Sequence, residues 1–248
     1  MSANKLKLNE DKTELMLVGT GSKLKHITVK AVDLGNQIIP TSNHLKNLGI
    51  LMDSGLTMEK HISHLCKTCY LKLRRIAQIR PYITTEAANK LVCSFVLSRL
   101  DYCNSLLVAI PDKKLQQLQQ IQNNAARLVS QVSKREHVTP IFKDLHWLPV
   151  ASRIKYKIAC ITYQCQSVPE FPSYLKDAIT PYKPSRSLRS ANKKLLVKPR
   201  VSLKTYGERS FYFQSAAIWN DLPVEIQSAK SVASFKSKLK TYYYTLSF

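Results

Sequence analysis

The sequence predicts an α+β chain, mostly α: a small antiparallel β segment, then a helical bundle, then a basic C-terminal region. Two changes of pattern along the chain predict it. Up to about residue 53 the chain carries strand signals, short apolar runs and a period-two alternation at Ile27–Val32. From Thr57 apolar residues recur at three- and four-residue steps, the spacing of amphipathic helices. With 248 residues, 44% of them apolar, the chain is long enough to bury a sizeable core.

The elements follow in order. Glu14-Leu15-Met16-Leu17-Val18 is a short apolar run stopped by Gly19-Thr20-Gly21-Ser22. Ile27 to Val32 alternates, Gly35-Asn36 turns it, and Gln37-Ile38-Ile39-Pro40 ends it. Leu48-Gly49-Ile50-Leu51 reads as a further strand. A first helix, capped by Thr57 and stopped before Pro81, carries the stripe Ile62, Leu65, Cys69, Leu73 and Ile76. Thr84 caps a second, with Ala88, Leu91, Val92 and Phe95 inward. Asp112 opens a third, with Leu115, Leu118, Ile121, Ala125 and Leu128 as its apolar face. A fourth, about 150 to 165, buries Ile154, Ile158, Ile161 and Cys165. Short connections between the four suggest a bundle.

Residues 167–209 differ. Pro169, Pro172, Pro181, Pro184 and Pro199 forbid a long helix, and nine basic residues stand against one acid, Glu208, between Lys183 and Arg209. This stretch is expected to be a linker or arm. Order resumes over 210–248, with Phe211, Phe213, Ile218 and Trp219, then Val232, Phe235 and Leu239 on a basic helix. The expected segments are therefore 1–55, 56–166, 167–209 and 210–248.

Charge narrows the function. Thirty-eight basic and 16 acidic residues give a net charge of +22, a field that favours polyanions, nucleic acid first. The sequence holds no run of 18 apolar residues, so no membrane span is expected. The N-terminus has no apolar signal core, so an intracellular chain, nuclear or cytoplasmic and not secreted, is expected. The six cysteines then read as reduced thiols.

The motifs are collinear. Leu8-Asn9-x-x-Lys12-Thr13-Glu14-Leu15 precedes Asn47-Leu48-Gly49-Ile50-Leu51-Met52-Asp53 and Leu56-Thr57-x-x-x-His61-Ile62. Ser98-Arg99-Leu100-Asp101-Tyr102-Cys103-Asn104-Ser105 follows, then Leu118-Gln119-x-Ile121-Gln122-Asn123-Asn124-Ala125-Ala126-Arg127. Leu145-His146-Trp147-Leu148-Pro149-Val150-x-x-Arg153-Ile154, Tyr206-Gly207-x-Arg209-Ser210-Phe211 and Ala217-Ile218-Trp219-Asn220-x-Leu222-Pro223 complete the order. Together they resemble the part of LINE-type (jockey-like) non-LTR retrotransposon reverse transcriptases that follows the polymerase active site. The resemblance implies the end of a palm, a thumb and a basic C-terminal region of an RNA-directed DNA polymerase. It also implies that the catalytic Asp pair lies upstream of Leu8, so the chain is expected to be a truncated product. Mg²⁺ would belong to that missing catalytic palm, and no cofactor is expected here. Lys12 matches a residue near the incoming nucleotide in the family, but without the Asp pair it has nothing to assist.

Within this chain, catalysis finds no support. Two-metal nucleotidyl transfer needs paired carboxylates, and the one adjacent acidic pair, Glu10-Asp11, reads as solvated. His61-x-x-His64-x-Cys66-x-x-Cys69 has zinc-ligand residue types, but one continuous helix cannot wrap four ligands around an ion. Cys69 fits the apolar stripe and Cys66 flanks it, while the histidines read as partly exposed. Zinc- or thiol-dependent activity at Cys66 and Cys69 is the weakest reading.

Binding is placed on Arg153, Lys155, Lys157, Lys183, Arg186, Arg189, Lys193, Lys194, Lys198 and Arg200, with Tyr163, Tyr182, Tyr206 and Tyr212 interspersed. Cations meet phosphates, and unpaired bases stack on Tyr. The expected partners are RNA and DNA, without sequence preference, and the remainder of a reverse transcriptase. The rival is a domesticated protein-interaction module whose apolar helix faces bind another protein.

Overall fold

The structure is a computed structural model that describes residues 9, 12–33, 37–184 and 193–248. It is mostly helical, with two small antiparallel sheets. The four expected segments resolve into two compact units, Met1–His64 and Leu65–Phe248.

In the first unit, helix α1 (Gly21–Lys25) stands where the sequence suggested a loop, because Thr20 caps it by accepting from the Lys23 N–H. Strand β1 (Ala31–Asp33) pairs with β2 (Ile38–Pro40), and β3 (His44–Asn47) with β4 (Ile50–Asp53). Two expectations need correction. The run Glu14–Val18 makes a single bridge, Leu15 to Thr41, because each sheet has two strands and offers it no full partner. Leu48-Gly49 is a hairpin turn rather than strand: φ is 46° and 87° at the two positions, the paired left-handed geometry whose twist matches the flanking strands. Gly35-Asn36 includes residues outside the described ones, as does Glu10-Asp11.

Asp53, at the end of β4, starts helix α2 (Glu59–Ile79). Its carboxylate accepts from the Thr57 and Met58 N–H groups, both at 2.8 Å, while Thr57 Oγ1 accepts from Glu59 N–H. A negative group at this end also complements the helix dipole. Ile62, Leu65, Cys69, Leu73 and Ile76 are all buried, as their spacing predicts.

In the second unit, Thr84 caps α3 (Thr85–Val92) by accepting from Ala87 N–H. A π-turn (Cys93–Leu97) joins it to α4 (Ser98–Asp101). That turn explains why Phe95 is exposed rather than inward. One extra residue per turn shifts the phase, so Val96 and Leu97 are buried instead. Then come α5 (Asp112–Ser130), α6 (Thr139–Asp144), α7 (Val150–Ser167) and α8 (Ser173–Lys176). Helices α9 (Phe211–Asn220), α10 (Val224–Gln227) and α11 (Val232–Ser247) close the chain.

Helix α7 is the hub. It packs against α5, α9, α11 and a 3-10 turn at Asn104–Leu107, burying Ile154, Ile158, Ala159, Thr162 and Tyr163. Residues 210–248 therefore belong to the bundle, not to a separate segment. Tyr163, Phe235 and Trp219 form the aromatic centre, with Tyr163 and Phe235 stacked at 4.2 Å. No helix among the described residues is long and apolar enough to cross a membrane.

Candidate nucleic-acid interface

Helix α7 offers two exposed cations, Lys155 and Lys157. Arg153, one turn earlier, is half-buried and committed to a partner within the fold. Its Nε donates to Asp101 Oδ1 at 2.7 Å and its Nη2 donates to Asp101 Oδ2. This two-point grip ties α7 to α4, so the Arg153 charge is largely neutralised where it stands. Helix α11 adds cations that the sequence reading left out. Burial raises the pKa of the Cys160 thiol, and Tyr156, then the charges of Lys236 and Lys157, oppose that rise; Lys157 and Lys240 border one cavity. Lys236 and Lys240 are four apart, so they share a face. That spacing was present in the sequence; what it lacked was the packing of α11 against α7.

The proline-containing stretch is anchored where it is described. Leu196 is buried and forms an antiparallel bridge to Pro181. Asn220 clasps it, accepting from Leu196 N–H at 2.8 Å and donating to Leu196 O at 2.9 Å. Trp219 Nε1 donates to Lys194 O at 2.5 Å. The linker expectation thus fails for Lys193–Arg200, because one apolar side chain and its backbone are claimed by the Trp219-Asn220 pair. Lys183, Lys193, Lys194, Lys198 and Arg200 are exposed on this anchored strip, with the Lys198 ammonium 4.6 Å from the centre of the Phe213 ring. Arg186 and Arg189 lie outside the described residues. Tyr182 and Tyr212 are exposed enough to stack on bases, but Tyr163 is buried and donates to Ala229 O.

The remaining motifs turn out to be joints. Gln119 Oε1 accepts from Val150 N–H at 2.9 Å, opening α7, and buried Gln122 donates to Leu148 O at 2.8 Å. Gly207 lies so close to Val201 that an added Cβ would stand 2.6 Å from the Val201 Cβ.

In the first unit, Lys12 is exposed. His61 is buried rather than partly exposed: its Nδ1 accepts from Leu51 N–H at 3.5 Å, and burial, then the neighbouring His64, lowers its pKa. In the second unit, burial pushes the Cys69 thiol up to about 12, so it stays protonated and a poor nucleophile. All six cysteines are free thiols. Among the described residues no group of three or more His, Cys, Asp or Glu is placed to hold a metal ion. Comparison with protein-family models, with curated proteins and with solved structures finds no match.

Proposed function

We propose that this chain is a binder of RNA and DNA without sequence preference, derived from the post-catalytic part of a non-LTR retrotransposon reverse transcriptase, and that it does not itself polymerise. The observation that carries the reading is the display of exposed cations by ordered elements. Lys155 and Lys157 on α7, Lys236 and Lys240 on α11, and the anchored strip Lys193–Arg200 are held on one compact unit of a chain with a net charge of +22. Such a surface meets phosphates without reading base edges. Fluorescence anisotropy with single-stranded RNA and DNA of several sequences tests it. Affinities within a few-fold of one another support it; failure to bind either polymer contradicts it.

One observation favours the rival interaction module. Ile76, Ile79, Leu91 and Phe95 line an apolar groove of about 230 Å³ edged by Lys72 and Arg75, and Phe95 is 45% exposed. Binding of a protein partner there would be insensitive to salt, unlike binding of a polyanion.

A further inference from the structure

We infer that a cavity of the helical unit, lined by Asp101, Asn104, Trp147 and Lys157, is a nucleotide pocket, which takes one base together with its phosphate. The inference rests on the nucleic-acid reading and gives it a defined site.

The cavity has a volume of about 630 Å³, within the range of small-molecule sites. Two of the motif segments line it, Asp101 and Asn104 from one and His146 and Trp147 from the other, and Gln122 of a third holds the Leu148 carbonyl from behind. The π-turn Cys93–Leu97 supplies another wall, and such turns often mark functional positions.

The chemistry of the lining is divided. Leu97, Leu148 and the rings of Trp147 and Tyr156 make an apolar interior suited to a flat heterocycle. Asn104 gives it a polar point. It is 3% exposed, and its Nδ2 donates to Asp101 Oδ1 at 3.4 Å. Because a carboxylate only accepts, that bond fixes the amide orientation. Oδ1 is left buried with no hydrogen-bond donor. A buried acceptor without a donor is costly, and a small turn of the Asn104 side chain toward the cavity would let the N–H that every nucleobase carries satisfy it. Lys157 and Lys240 stand exposed at the lining, where a phosphate would be met. Asp101 adds no net negative charge, since Arg153 is paired to it.

Cys93 lines the same cavity and is half-buried, while Cys66, also half-buried, is not among its lining residues. This gives a direct test on the full chain: maleimide labelling followed site by site, with and without ligand. A nucleoside 5′-monophosphate and a single-stranded RNA should both slow labelling of Cys93 and leave Cys66 unchanged. Ribose 5-phosphate and a nucleoside without phosphate should protect far less. Lys157→Gln with Lys240→Gln should abolish protection by the monophosphate, and Lys157→Arg should retain it. Asn104→Leu should weaken protection roughly tenfold, the loss of about one hydrogen bond, with helix content by circular dichroism unchanged. If RNA binds but neither RNA nor monophosphate protects Cys93, the pocket is refuted and the nucleic-acid reading survives. If the monophosphate protects but RNA does not bind, the pocket stands as a site for free nucleotide and the broader reading falls. Equal protection by ribose 5-phosphate would overturn the role given to the base.

Discussion

The guanidinium of Arg153 grips the carboxylate of Asp101, joining the start of α7 to the end of α4 through two donated hydrogen bonds. The pair is partly exposed, with side-chain exposures of 20% and 36%. Its net worth is therefore roughly 1–2 kcal/mol rather than that of a dry ion pair. Arg153→Met and Asp101→Asn should each destabilise the fold by about that much, and the double variant should cost less than their sum. Additive losses in urea denaturation would mean that the pair is not coupled.

Arg80 is a buried guanidinium, and among the described residues no carboxylate pairs with it. It donates to Leu128 O at 3.1 Å, Val129 O at 2.8 Å, Ile83 O at 2.8 Å and Thr85 Oγ1 at 3.0 Å. Two of these carbonyls belong to the last turn of α5, where a cation is favoured. Arg80→Lys keeps the charge but not the fork, and should lose roughly 2–3 kcal/mol because carbonyls are left without donors. A variant as stable as the parent in thermal melts would count against this account.

The sequence showed the helical unit more clearly than the sheets, for a physical reason. A stripe such as Ile62–Ile76 repeats over about four turns and reports its own burial, whereas β3 is four residues whose pairing depends on a left-handed turn at Leu48. The π-turn at Cys93–Leu97 leaves no periodic trace and so put Phe95 on the wrong face. Along α7, charge marked Lys155 and Lys157 correctly as exposed but could not tell them from Arg153, because the Asp101 partner is distant in sequence. Lys240 was overlooked because only packing brings it to the cavity shared with Lys157.

Alkaline stability should follow from buried acids. Burial holds the Cys69 thiol up to about 12, Tyr156 up to about 12 and Cys165 up to about 11. Above the ordinary thiol range the unfolded chain releases these protons while the folded chain keeps them. The stabilising contribution is thus complete below the unfolded pKa and lost as pH rises toward the folded one, at up to about 1.4 kcal/mol per pH unit for each group. Cys69→Ala should fall less steeply with pH than the parent above about pH 9. Parallel slopes would contradict the raised Cys69 pKa.

Asn220 should be the clasp of the basic strip. Asn220→Ala removes both bonds to Leu196, and should cost roughly 1–3 kcal/mol while opening Lys193–Arg200 to trypsin well before the helices are cut. Equal digestion rates for variant and parent at that strip would show that Trp219 alone holds it.

Salt dependence of RNA binding tests the central claim most directly. If the cations of α7, α11 and the anchored strip neutralise about five or six phosphates, log K should fall against log salt with a slope near −4, from roughly −0.7 per contact for single strands. Changing Lys157, Lys193, Lys194, Lys236 and Lys240 to Gln should flatten the slope by about 3 units and leave the helix content unchanged. A steep slope that survives those substitutions would move the interface elsewhere; a flat slope in the parent chain would contradict binding by phosphate neutralisation altogether.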